Sequence, residues 1–125
     1  TKRRDILELA REFQITGFCM PGKPGIMCME GNENNCYEAW SIIKSWNWKK
    51  INVKHQERGD LNNEAGVELE DIDRFRRFAG FEEIGFVKNS DTRDYHMDMG
   101  EFSKYLEKNK CLYMFKELFG FDKTT

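Results

Sequence analysis

The sequence predicts a single α+β domain, and three observations carry that expectation. Apolar residues recur at helical spacing near both ends of the chain, and they alternate at strand spacing between. The 125 residues suffice for one core and require no second domain. Aromatic residues make up 14% of the chain, ten of them Phe, which is ample large side-chain surface to offset the entropy lost on ordering. Charged residues reach 34% but the formal net charge is only -2, so whole-chain electrostatics neither marks a nucleic-acid binder nor excludes a local basic face.

The spacing predicts an amphipathic helix over Lys2–Phe13. Ile6, Ala10 and Phe13 share one side, Leu7 and Leu9 widen it, and Asp5, Glu8 and Glu12 face water. The period then shortens. Ile15–Met20 reads as a strand, Pro21-Gly22-Lys23-Pro24-Gly25 as a turn, and Ile26–Glu30 as a second strand. A helix is expected over Cys36–Trp46, with Asn35 as its cap and Glu38 in the capping-box position. Trp40, Ile43 and Trp46 lie on one stripe of that helix, which reads as a packing face rather than an aromatic binding platform.

Lys50–Gln56 has the cleanest alternation in the chain. Ile51, Val53 and His55 fall on one face and Lys50, Asn52, Lys54 and Gln56 on the other, so a third strand is expected there. Glu57–Glu70 is polar and reads as a surface excursion, followed by a short helical turn within Asp71–Phe78. A fourth strand is expected over Phe81–Val87, then a turn at Asn89-Ser90-Asp91. Asp98 can cap a helix with Glu101 in the box position and Phe102, Tyr105 and Leu106 on its apolar side. A break near Asn109 separates it from a last helix, Leu112–Phe119, which Gly120 can end. This order suits a ferredoxin-like arrangement: a four-stranded, mostly antiparallel sheet with helices on one face and an additional N-terminal helix.

No self-sufficient catalytic centre is legible. His55-Gln56-Glu57-Arg58 and Arg93-Asp94-Tyr95-His96-Met97-Asp98 each hold a base and an acid, but strand-end and capping roles account for both. Cys19, Cys28, Cys36 and Cys111 form no close pair and read as buried free thiols. Gly25 and Gly31 match neither familiar nucleotide loop and read as turn residues. The expectation is a non-enzymatic module without metal, cofactor or small-molecule substrate. No apolar run approaches the roughly 20 residues that span a bilayer, so no membrane partner is expected.

Two kinds of partner remain. The aromatic-rich helices and near-neutral charge suit a module that docks a protein or packs against a neighbouring domain. Alternatively, a basic strand face could hold RNA phosphates through Lys49, Lys50, Asn52, Lys54 and Arg58, with Arg74, Arg76 and Arg77 as a second positive group.

Thr16-Gly17-Phe18, the run Gly22-Lys23-Pro24-Gly25-Ile26-Met27-Cys28-Met29-Glu30-Gly31, Trp48 and His55-Gln56-Glu57 together resemble a particular family. It is the domain that follows the RWD domain in a group of eukaryotic RWD-containing proteins. His96-Met97-Asp98-Met99-Gly100 and the helices ending at Phe119-Gly120 extend the resemblance over nearly the whole chain. The chain is more distantly similar to the C-terminal domain of a spliceosomal tri-snRNP protein, through the Thr16-Gly17 turn, the Glu30-Gly31 strand end, the helix leading to Trp46 or Trp48, and the paired C-terminal helices. The resemblance implies a module of a larger eukaryotic protein, preceded by an RWD domain, and the free thiols suit a reducing compartment, so an intracellular location, cytoplasmic or nuclear, is expected. The more distant likeness implies a ferredoxin-like fold and raises RNA as a partner.

Overall fold

The computed structural model describes residues 1–22, 24–59, 72–86 and 98–120. The N-terminal helix α1 spans Lys2–Glu12, where the Thr1 hydroxyl caps the Arg4 amide and Phe13 closes the last turn. Its Ile6, Leu9 and Ala10 are buried, the same apolar side that the sequence spacing marks.

Strand β1 (Thr16–Met20) is central, and the sheet order is β2-β1-β3. Strand β2 (Ile26–Glu30) pairs with it antiparallel, with Phe18 opposite Cys28. Strand β3 (Phe81–Glu83) pairs with it in parallel, with Phe18 opposite Glu82. Gly17 is dictated by this pairing. Its φ is +138°, and a Cβ there would lie 2.0 Å from the Cys28 carbonyl oxygen, so no larger residue lets the two strands approach.

Helix α2 spans Glu33–Ser45, and its cap is Asn32, whose side chain accepts from the Asn35 amide at 3.1 Å. The helix therefore starts a turn earlier than the expected Asn35 cap. Asn32 meets the cap requirement just as well, and the earlier start adds three hydrogen-bonded residues. Beyond a 3-10 turn at Asp73–Phe75, helices α3 (Met99–Lys108) and α4 (Met114–Phe119) complete the described elements. The side chain of Asp98 accepts from the Glu101 amide at 3.1 Å, the cap that the sequence predicts, and Gly120 closes α4 in the left-handed conformation.

Strand alternation divides the core in two. Phe18 and Met20, with Ile26 and Cys28 beside them, face Phe102, Leu106, Cys111 and Phe115 of the C-terminal helical region. Ile15, Met27, Met29 and Phe81 belong with the other cluster, built on Leu9 and Ala10 of α1 and Ala39 and Ile43 of α2. Trp40 and Trp46 pack against this second cluster, so their stripe is a packing face. Helices thus cover both faces of the sheet, where one helical face was expected.

The strand expected over Lys50–Gln56 is not one. The described residues form a three-stranded mixed sheet in place of a four-stranded, mostly antiparallel one. Alternation stabilises a strand only when one parity is covered. Here Ile51 alone packs against the core, while Val53 is 54% exposed and His55 is exposed. The last expected strand shortens to Phe81–Glu83. The turn at 89–91, His96 and most of the 57–70 excursion lie outside the described residues.

Candidate functional site

Two sites are built where the end of β2 meets the segment after the 3-10 turn. The first is a polar knot. Glu30, last in β2, accepts from the Thr16 hydroxyl at 2.8 Å and from the backbone amides of Arg77 and Phe78 at 2.9 and 2.8 Å. Arg76 spans the same junction. It donates to the Thr16 hydroxyl at 3.0 Å, to the carbonyls of Glu30 at 3.2 Å and Gln14 at 3.0 Å, and to the Asp73 carboxylate at 2.7 Å. These bonds commit Arg76 to holding strands and turn together. Thr16, Gly17, Glu30 and Gly31, which carry the family resemblance, converge at this knot.

The second site lies just outside it. Arg74, Phe75, Arg76, Arg77, Lys108, Asn109 and Lys110 line an open concavity of about 420 Å³. Five of these seven residues are cationic and none is acidic. The 3-10 turn supplies one wall. The other is the end of α3, where Asn109 closes the helix and Lys110 takes a positive φ of 60°. Phe75 is 43% exposed, with the Arg74 guanidinium 6.0 Å from its ring centroid. Tyr113, 45% exposed, extends the rim through the Arg77 guanidinium, 5.6 Å from its ring centroid.

Of the candidate RNA-contacting residues, Arg74, Arg76 and Arg77 line the concavity. Lys49, Lys50, Asn52 and Lys54 are exposed on the irregular segment after α2, and Arg58 pairs with Glu33 at 2.5 Å; none of these five lines it. Sequence reasoning missed Lys108, Asn109, Lys110, Phe75 and Tyr113. Phe75 stands between Arg74 and Arg76 in the sequence, whereas the only local signal of the others is the basic run around the helix break, more than thirty residues from the opposite wall.

Glu57 sits at the rim. Its carboxylate is 3.2 Å from Arg77 Nη1 and 3.0 Å from His55 Nε2, and it accepts the Tyr113 hydroxyl. Burial opposes its ionisation, but the hydrogen bonds with His55 and Tyr113 and the charge of Arg77 outweigh burial and hold the carboxyl below its usual range. Burial and the bond to Glu57 push the Tyr113 hydroxyl well up. His55 and Glu57 thus tie an irregular segment to the helix α4 region.

The four cysteines are free thiols, Cys19 and Cys111 buried and Cys28 and Cys36 partly so. Burial raises all four pKa values, that of Cys28 to about 12 and that of Cys111 to about 11. The thiolate is the reactive form, so these sites are built for packing. No helix among the described residues is long and apolar enough to cross a membrane.

This is an α+β domain with a basic concavity beside the junction its strands share. It belongs to the family of the small nuclear ribonucleoprotein Prp3 C-terminal domain, whose family model matches residues 1–118. That match bears out the likeness to the C-terminal domain of a tri-snRNP protein. The chain is also 31% identical over 121 residues to phomoidride biosynthesis cluster protein F of a fungal species, strain ATCC 74256. The alignment covers 96% of this chain and 38% of that protein, so the chain spans well under half of that relative's length. No solved structure gives a significant match.

Proposed function

We propose that this chain is a non-enzymatic contact module of a longer, nuclear polypeptide, with an RWD domain ahead of it, and that its partner is RNA. The single observation that carries the partner class is the concavity: five cationic residues, no acidic one, and a half-exposed phenyl ring at its wall. Lysine and arginine hold phosphates without reading sequence, while an aromatic face accepts any base by stacking. Membership in a domain family named for a small nuclear ribonucleoprotein is in keeping with that reading. The contact surface is then formed by Arg74, Arg77, Lys108 and Lys110 rather than by Lys50 and Lys54, and Arg76 supports it from behind.

The test is titration of labelled single-stranded and duplex RNA at several salt concentrations. The parent chain is compared with a Lys108→Ala plus Lys110→Ala variant and a Lys50→Ala plus Lys54→Ala variant. Each phosphate contact removed lowers the slope of log affinity against log salt by about 0.7 for a single strand. The first variant should show that loss and the second should not. Absence of binding by the parent, with loss of a protein partner when this domain is deleted from the intact polypeptide, would favour the protein-docking reading.

A further inference from the structure

We infer that Glu57 is a built-in competitor for the RNA-binding concavity: its carboxylate occupies the phosphate position on Arg77 and Tyr113 and must leave before a strand can engage them. This inference rests on the RNA reading of that site. Three observations carry it. First, Glu57 engages Arg77 Nη1 at 3.2 Å and the Tyr113 hydroxyl together, a cation and an O–H donor that would serve a phosphate oxygen equally well. Second, Arg77 lines the concavity with Tyr113 beside it, and both keep part of their surface in solvent: the Arg77 side chain is 35% exposed and Tyr113 45%.

Third, Glu57 belongs to the stretch after α2, which has no regular secondary structure from Asn47 to Gly59, so its position depends on side-chain contacts. Among the described residues the part around Glu57 is held by Arg58 to Glu33 at 2.5 Å, the His55 ring against that of Tyr113, and the close approach of Gly59 to the Phe75 ring, while Trp48 and Ile51 anchor the start of the stretch to the core. None is a backbone ladder, so the acid can withdraw without unpairing the sheet. Lys108 and Lys110 have no ion pair among the described residues and stay open to the first encounter. The order of events is capture by the lysines, then exchange of the Glu57 carboxylate for a phosphate on Arg77 and Tyr113.

The experiment measures binding of a fluorescein-labelled oligouridine to the parent, Glu57→Gln, Arg77→Gln, the Glu57→Gln plus Arg77→Gln double variant, and Lys108→Ala plus Lys110→Ala. Glutamine keeps the size of Glu57 and removes its charge. Glu57→Gln should bind about two- to fivefold tighter than the parent, the scale of one partly exposed ion pair, and that gain should vanish in the Arg77→Gln background. An unchanged circular dichroism spectrum for Glu57→Gln shows that the gain belongs to the folded chain. If the parent binds and Lys108→Ala plus Lys110→Ala does not, but Glu57→Gln equals the parent, the competitor role is overturned and the RNA reading stands. A gain that persists without Arg77 reports only a net-charge effect and overturns the competitor role too. If neither the parent nor Glu57→Gln binds, both are overturned.

Discussion

The carboxylate of Glu30 accepts the backbone amide of Phe78 at 2.8 Å, joining the end of one strand to the segment that leads into another across nearly fifty residues. The same carboxylate also accepts from the Arg77 amide and the Thr16 hydroxyl, so one side chain terminates three donors. Glu30→Gln keeps the shape but turns an all-acceptor group into one with donors facing donors. It should cost about 2 kcal/mol, the scale of hydrogen bonds made to a charged group, read as a lower urea midpoint at unchanged slope.

Gly17→Ala tests the close approach of β1 and β2. A methyl group would sit 2.0 Å from the Cys28 carbonyl oxygen, on a residue whose φ of +138° already disfavours a side chain. The backbone strain alone costs about 1–3 kcal/mol and the clash adds to it. The variant should lose its cooperative thermal transition or show it many degrees lower, whereas Gly80→Ala, which meets nothing within 4 Å, should unfold close to the parent.

The helices were legible because their faces are dictated locally. Thr1, Asp98 and Gly120 end their helices as their residue types suggest, and the apolar stripes of α1 and α3 are the buried ones. Lys50–Gln56 misleads because alternation in sequence does not say whether anything will cover the face. With Val53 left in solvent there is no burial to fix a strand. The concavity was half legible. Arg74, Arg76 and Arg77 fall within four residues and stand out, but Lys108 and Lys110 join them only through the fold, and nothing in the sequence shows that Arg76 is consumed by Thr16, Gln14 and Glu30.

Acid should loosen the Glu57 contacts in a defined direction. Its folded-state pKa is depressed below the usual range of a glutamate carboxyl, so ionised Glu57 contributes its stabilisation fully above that range. The contribution is lost as pH falls through the depressed folded pKa. Between neutral pH and about 3, the stability of Glu57→Gln should therefore fall less steeply than that of the parent, measured by urea unfolding at each pH. Parallel curves would show that the carboxylate is not linked to folding.

The thiols should be slow to react. Burial pushes Cys28 to about 12 and Cys111 to about 11, and raises Cys19 and Cys36 as well, leaving little thiolate at neutral pH. Ellman titration of the native chain at pH 7.5 should be slow for all four and fast once urea is added. A rapid single equivalent in the native state would identify one exposed, activated cysteine and contradict that assignment.

The most direct test of the central claim is to map amide chemical-shift changes when an oligouridine is added to the isotope-labelled chain. The concavity predicts perturbations clustered at 74–77 and 108–113, with Phe75 and Tyr113 ring signals moving together with them. Perturbations confined to Lys49, Lys50, Asn52 and Lys54, or none at saturating oligouridine, would contradict it.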